Sequence, residues 1–248
     1  MSPRRHRGWV ALTILGALVC LALGYAATFW KRPTPIRIAF ANSLTGATSS
    51  AGAEILAGVK LYIDEANRKG GVRGHSIELV LFDDASSADS ARANVQNIAD
   101  SPCVAVLGHF LSSVSMAAGQ GYKAAGIPAL TGASSADAVT IGNPYYFRAQ
   151  TPVSMQGRSN AEYLSFVLKT PVVLVLHSQD SYGQSFLTGF SERYDKDKLI
   201  TRGFDVARDV RGESLRAAVE AAASDLEPGI IVIGTAVDNV PEVLRRYQ

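Results

Sequence analysis

The chain has 248 residues, 47% of them hydrophobic and 19% charged, which is enough apolar material for a packed core in one or two domains. Its net charge of +2 comes from the N-terminus: Arg4, Arg5, Arg7, Lys31 and Arg32 flank the first apolar run, and no acid precedes Glu54. The remaining 19 basic and 22 acidic residues give −3, so there is no basic field of the kind a nucleic-acid partner requires.

Residues 8–30 hold no charge over 23 positions. At ~1.5 Å rise per residue this run spans a ~30 Å hydrocarbon core. Trp9, Tyr25, Phe29 and Trp30 stand near its ends, as interfacial aromatics do, and the arginines before it keep the N-terminus cytoplasmic. The chain beyond residue 32 is therefore expected to be exported. Two fates are open for the run itself: an uncleaved anchor, favoured by its length and by Lys31-Arg32, or a signal cleaved near Gly24-Tyr25-Ala26. Cys20 comes after Ala17-Leu18-Val19, which does not suit lipoprotein processing, and within the leader it cannot pair with Cys103. No CxxC or Cys/His cluster exists, so neither metal nor cofactor is expected.

Beyond the stiff Pro33-Thr34-Pro35, strands and helices alternate. Ile36–Ala41 reads as a buried strand and Glu54–Lys69 as a helix with Ile55, Val59, Ile63 and Ala66 on one stripe, ended by Gly70-Gly71. Ile77–Phe82 is a strand closed by Asp83-Asp84, Ala88–Asp100 a helix, Cys103–Leu107 a strand, Ser113–Ala125 a helix and Ile127–Thr131 a strand. Tyr145–Arg148 is a short extended piece. The alternation then restarts. Met155–Lys169 is a helix with Tyr163, Phe166 and Val167 on its apolar side, Val172–His177 a strand, Tyr182–Tyr194 a helix, Leu199–Val206 a strand, Glu213–Ser224 a helix, Ile230–Ile233 a strand and Val240–Tyr247 the start of a helix. Such alternation implies an α/β fold of two Rossmann-like lobes with parallel sheets. The expected organisation is a leader over residues 1–32, lobe 1 over 33–150 and lobe 2 over 151–248.

No phosphate-binding, nucleophile-elbow or metalloprotease motif is present, and neither His109 nor His177 has a recognisable nucleophile and orienter, so no catalytic set is expected. The Asp83-Asp84 pair suits a cation or a turn that caps the next helix, and the second is the commoner use. In open α/β sheets ligands bind beyond the carboxyl ends of the strands. Three hydroxyl-rich loops stand there: Gly108–Ser113, running into a helix whose N–H groups suit a carboxylate; Thr131–Ser135, suited to an ammonium; and His177–Gly183, where Tyr182 offers an apolar face and a hydroxyl. Each also reads as plain helix capping.

These stretches together resemble the type I periplasmic binding proteins for leucine, isoleucine and valine, the substrate-binding family of branched-chain amino-acid ABC transporters. The resemblance runs through IRIAFANSLTG (Ile36–Gly46), DEANRKGGVRG (Asp64–Gly74), LVLFDDA (Leu79–Ala85), VLGHFLSS (Val106–Ser113), GIPALTGASS (Gly126–Ser135), YFRAQ (Tyr146–Gln150) with Gly157, and Tyr182-Gly183-Gln184. It implies a cleft between two lobes that close by a hinge. It also implies that Ser112, Ala133 and Ser135 hold a ligand's α-carboxylate and α-ammonium, with Ser113 and Ser134 beside them and Tyr182 approaching from the second lobe. Two departures reshape the side-chain pocket: Ala51 stands where the family places an aromatic before Gly52, and Gly234-Thr235-Ala236 comes after the last strand. Because family members return to the first lobe and finish both sheets, more sequence is expected past Gln248, and this segment alone is expected to be poorly stable and to bind weakly.

The function implied is an extracytoplasmic, non-enzymatic receptor that captures a small amino-acid-like ligand for an ABC permease, held at the membrane by its N-terminal helix. The alternative is the ligand-sensing ectodomain of a membrane receptor with a fused signalling domain.

Overall fold

The computed structural model describes residues 16–20, 33–204, 217, 220 and 230–234. Of the expected leader, Gly16–Cys20 are helical and the rest lies outside the described residues, as do most of the helix expected over Glu213–Ser224 and all of that expected over Val240–Tyr247. Among the described residues no helix is long and apolar enough to cross a membrane.

The strands are β1 (Ile36–Asn42), β2 (Ile77–Asp83), β3 (Cys103–Gly108), β4 (Ala129–Thr131), β5 (Tyr146–Arg148), β6 (Val173–Ser178), β7 (Leu199–Phe204) and β8 (Ile230–Gly234). The helices between them are α1 (Ser49–Arg68), α2 (Ala88–Ala99), α3 (Ser112–Ala125), α4 (Val153–Glu162) and α5 (Ser181–Ser191). They build a five-stranded sheet in the order β2-β1-β3-β4-β5 and a three-stranded sheet in the order β7-β6-β8. The pairings of β3 with β1 and β4, of β4 with β5, and of β6 with β7 and β8 are all parallel.

By compactness the chain divides into Met1–Ile36 with Leu61–Glu78, and Arg37–Lys60 with Leu79–Gln248. The smaller unit is organised by its glycine turn. Gly71 N–H closes onto the Ala66 carbonyl at 2.9 Å, and Val72 and His75 bridge. The Asn67 amide then both donates to the Ile77 carbonyl (2.9 Å) and accepts its N–H (2.8 Å), which locks the turn where β2 begins.

In the larger unit the faces of the five-stranded sheet differ. On one face Ala39, Ala41, Val106, Ala129 and Tyr146 are buried against Ala91 and Ile98 of α2 and Val114, Ala118 and Tyr122 of α3. On the other, the register aligns Phe40, Leu107, Leu130 and Phe147 in one row across four strands. Phe40 is buried there, while Leu130 is 40% and Phe147 55% exposed.

α1 starts five residues before the expected Glu54. Its first turn is built of small residues that carry no apolar period, and it is pinned instead by Thr48, whose N–H and hydroxyl meet Ser86 Oγ at 3.0 and 2.9 Å. The expectation for the helix after residue 152 needs correction. α4 ends at Glu162 and continues as a π-helical turn over Tyr163–Val167, and Tyr163, Phe166 and Val167 are 55%, 75% and 61% exposed. The buried stripe is Val153, Gly157, Ala161 and Leu164, at spacings of four, four and three, and the aromatics lie off it. Small residues win because α4 meets α5 backbone to backbone: a Cβ on Gly189 would stand 2.0 Å from the Ser154 carbonyl oxygen. Phe186 and Phe190 of α5 and Tyr194 just after it pack as tilted rings, with centroids 6.1 and 5.4 Å apart, and finish the second core.

Candidate functional site

In the strand order β2-β1-β3-β4-β5 the chain reverses direction between β1 and β3, and the crevice at such a switch point is where open α/β sheets place ligands. The loops after β1, β2, β3 and β4 meet there, and buried polar bonds tie them together.

Asp83 and Asp84 close β2. Asp83 Oδ1 accepts the N–H groups of Leu44 (3.0 Å), Thr45 (3.1 Å) and Ala85 (2.8 Å), and Oδ2 accepts the Thr45 hydroxyl at 2.6 Å. Burial alone would raise this carboxyl, but the bonds from Thr45, Ala85 and Leu44 outweigh it and hold the group below the usual carboxylate range. Asp84 is wholly buried; its Oδ1 accepts Ser43 Oγ and Ser86 N, each at 2.9 Å. The pair therefore shapes a turn, while the cap of α2 is Ser87. Among the described residues no group of acidic, histidine or cysteine side chains could hold a metal ion.

The other oxygen of Asp84 meets His109, at the end of β3. A carboxylate only accepts, so Nδ1 of His109 donates to Asp84 Oδ2 (2.7 Å), and Nε2 accepts the Tyr122 hydroxyl (2.9 Å). The two rings stack, with centroids 6.0 Å apart and planes 9° from parallel. Burial pushes the Tyr122 hydroxyl up, helped by Tyr146 and Asp84, so it stays a donor across the physiological range. Tyr146, also raised by burial, donates to the Gly108 carbonyl (2.8 Å) and accepts His109 N–H (3.2 Å). A side chain at Gly108 is impossible, since a Cβ there would lie 1.9 Å from the Ala41 carbonyl oxygen.

The loop after β4 hangs on this assembly. Thr131 Oγ1 and Ser134 Oγ both donate to the His109 carbonyl at 2.9 Å. Thr131 Oγ1 in turn accepts the N–H groups of Ala133 (3.1 Å) and Ser134 (2.9 Å). Above the loop lies a cavity of about 280 Å³ with apolar walls from Phe40, Ile55, Val59, Leu107 and Leu130.

The residues singled out by sequence occupy different stations. Ser112, the first residue of α3, is buried, and its Oγ accepts Ala136 N–H at 3.1 Å, which leaves its own proton free to donate. Ser134 is closed: it donates to the carbonyls of His109 and Phe110 and lies 2.5 Å from Ser115 Oγ. Ser135 is buried with its carbonyl accepting Val153 N–H (2.8 Å) and Arg148 Nη1 (3.1 Å), and its hydroxyl has no partner among the described residues. Ala133 lines the cavity, and Ser113 is exposed. The structure thus brings Ser112, Ala133, Ser134 and Ser135 together. Tyr182 stands on α5 against the second core, its hydroxyl raised by burial and by Asp180, and no bond among the described residues joins it to the other four.

α2 and α5 are capped by side chains, Ser87 and Asp180. The N-terminus of α3 is not: Leu111 at its cap position supplies no oxygen, so the first N–H groups remain open beside Ser112. An uncapped helix N-terminus with hydroxyl donors is suited to a carboxylate. The chain of Asp84, His109 and Tyr122 is not foreseeable from the sequence. Its members come from three parts of the chain, 25 and 13 residues apart, and the signals are the positions of Asp84 and His109 at strand ends, with nothing to mark Tyr122.

Two parallel-sheet α/β assemblies, one with its open polar loops at a switch point, define a protein of the type I periplasmic binding fold. Residues 35–199 match the periplasmic binding protein family, and the chain belongs to that family. It is 36% identical over 149 residues to an amino acid binding protein of Pseudomonas aeruginosa, covering 59% of this chain and 40% of that protein. It is 30% identical over 183 residues to a leucine-, isoleucine-, valine-, threonine- and alanine-binding protein of the same organism, covering 73% of this chain and 48% of that protein. Among solved structures, the branched-chain amino acid transporter substrate binding protein of Streptococcus pneumoniae, in complex with isoleucine, superposes with a TM-score of 0.68 at 25% identity, covering 80% of this chain and 56% of that one. A solute binding protein of an ABC transporter from Rhodopseudomonas palustris, in complex with 3,4-dihydroxy benzoic acid, shares the fold with a TM-score of 0.74 at 19% identity, over 86% of this chain and 58% of that one. The chain spans about half the length of the curated relatives it matches.

Proposed function

We propose that this chain forms the ligand-capturing part of an extracytoplasmic solute-binding protein that delivers an amino-acid-like molecule to an ABC importer. Two lobes, 33–150 and 151–248, approach the ligand from either side. The observation that carries the reading is the uncapped N-terminus of α3 beside two available hydroxyls, the Ser112 proton and Ser135 Oγ. The ligand carboxylate sits on the α3 N–H groups and Ser112. Its ammonium meets Ser135 Oγ and the carbonyls of the β4 loop. Tyr182 closes over it from lobe 2, and Ser113 and Ser134 frame the contact. The relatives from Pseudomonas aeruginosa and Streptococcus pneumoniae support this reading, since they bind amino acids or belong to transporters. The apolar leader at residues 8–30 supports export and attachment to the membrane.

Calorimetry with L-leucine, L-isoleucine and L-alanine tests the proposal. Loss of one buried hydrogen bond weakens binding about five- to a hundredfold, so Ser112→Ala and Ser135→Ala should each lower affinity within that range while Ser113→Ala changes little. Equal affinity in all four proteins removes the site.

A further inference from the structure

We propose that Asp84, His109 and Tyr122 are positioning residues for the ligand loops: the chain of side-chain bonds they form holds the β3 end at the one place from which the β4 loop can hang. The inference rests on reading those loops as the ligand site. It goes beyond that reading in assigning a role to three residues that touch no ligand.

His109 is 1% exposed and Asp84 fully buried. The ring is fastened at both nitrogens, from β2 by Asp84 and from α3 by Tyr122. With the side chain fixed, the main chain of His109 becomes the receptor for its neighbours. Its N–H goes to Tyr146 of β5, and its carbonyl receives Thr131 and Ser134 of the β4 loop. Thr131 passes the constraint on to the N–H groups of Ala133 and Ser134. An unbroken line of bonds therefore runs from Asp84 to the residues beside the open Ser135 hydroxyl, and Ser112 joins the same loop through Ala136.

Stability alone is a weak reason for such a chain. Buried pairs are often replaced by apolar residues at no cost, whereas their directional bonds fix geometry that packing leaves loose. The titratable and charged side chains facing His109 are Asp84 from β2, Tyr122 from α3 and Tyr146 from β5.

The test compares Tyr122→Phe and His109→Gln with Ile98→Val, a core change on α2 outside the chain of bonds and away from the ligand loops, all in the 248-residue chain. Amide hydrogen exchange at Ala133, Ser134 and Ala136 is read at matched global stability. Tyr122→Phe should speed exchange at these three by about tenfold over Ile98→Val, as expected when one buried bond of a local network is lost. The imidazole ¹⁵N signals of His109 should show a proton on Nδ1 in the wild type and a shift at Nε2 in Tyr122→Phe. Affinity for L-leucine should fall about tenfold in Tyr122→Phe and stay at the wild-type value in Ile98→Val. Exchange that tracks global stability alike in both variants overturns the proposal, as does faster exchange with unchanged affinity. If the wild type binds no amino acid, the ligand reading fails, and the exchange data still decide whether the chain of bonds positions the loop. Should His109→Gln not fold, Tyr146→Phe, which releases the His109 N–H, takes its place.

Discussion

The loops at the end of the five-stranded sheet hang on buried side-chain bonds between elements, while the side-chain bonds of the loop at the end of β6 run mainly to its own helix. In the first region Asp84, His109, Tyr122, Thr131 and Ser134 link four elements. In the second, the side-chain bonds are mostly local, with Asp180 accepting Gly183 N–H at 2.9 Å and Ser178 Oγ at 2.7 Å. Long-range support comes from the apolar packing of Phe186 and Phe190, from a long Ser178 Oγ contact to the Gly234 carbonyl (3.4 Å) and from the Gln179 N–H on the Phe204 carbonyl (2.9 Å). Under the proposed reading, the first region is a pre-set surface and the second a docking element. Loops bonded across a sheet keep their shape without ligand, whereas a locally capped helix carries Tyr182 as a unit with its own core.

His109→Ala cuts deepest into this contrast. Removing one partner of a buried pair strands the other, so the Asp84 carboxylate loses its Oδ2 partner and the protein should lose ~3–5 kcal/mol in a denaturant titration. If the loss is below ~1 kcal/mol, the first region is held by packing like the second, and the contrast collapses. Gly189→Ala is the matching cut in the second region. Its Cβ would stand 2.0 Å from the Ser154 oxygen, and overpacking of this kind costs ~1–3 kcal/mol, read as a lower midpoint with an unchanged slope. Asp180→Ala removes only the cap of α5 and should cost ~1 kcal/mol. A cost as large as that of His109→Ala would show that the second loop too is part of a wider network.

The smallest effect is a dependence on pH. Asp83 is lowered on folding by its bonds to Thr45, Ala85 and Leu44. A carboxyl lowered in this way contributes stability that is complete above its unfolded value, ~3.9, and is lost as pH falls through the folded value. Wild-type protein should therefore lose this part of its stability below about pH 4, and Asp83→Asn should show a shallower acid limb. Identical acid limbs would mean that solvent screens the bonds at this partly exposed site.

Much of the fold is legible in the sequence because a parallel α/β chain writes its strands as short apolar runs between helices of a dozen residues. β1, β2, β3, β6 and the start of β7 fall where the periodicity puts them. The face of α4 is not legible. Tyr163, Phe166 and Val167 outrank glycine in any hydrophobic reading, yet close backbone contact selects Gly157 and Ala161. At the site, the hydroxyl-rich loops are visible as composition, but nothing local distinguishes Ser134, whose hydroxyl is spent on two carbonyls, from Ser135, whose hydroxyl has no partner among the described residues. That distinction depends on where the His109 carbonyl points, and residues on β2 and α3 decide it.

Ligand capture of the kind proposed requires that the α3 N-terminus receive a carboxylate. Titrating ¹⁵N-labelled protein with L-isoleucine, and separately with L-isoleucine amide, which lacks the carboxylate charge, measures this directly. The prediction is that L-isoleucine produces its largest amide shifts at Ser112, Ser113, Val114 and Ser135, and that the amide derivative leaves the first three near their free positions. Shifts of equal size with both compounds, or shifts that avoid residues 112–114, would contradict it.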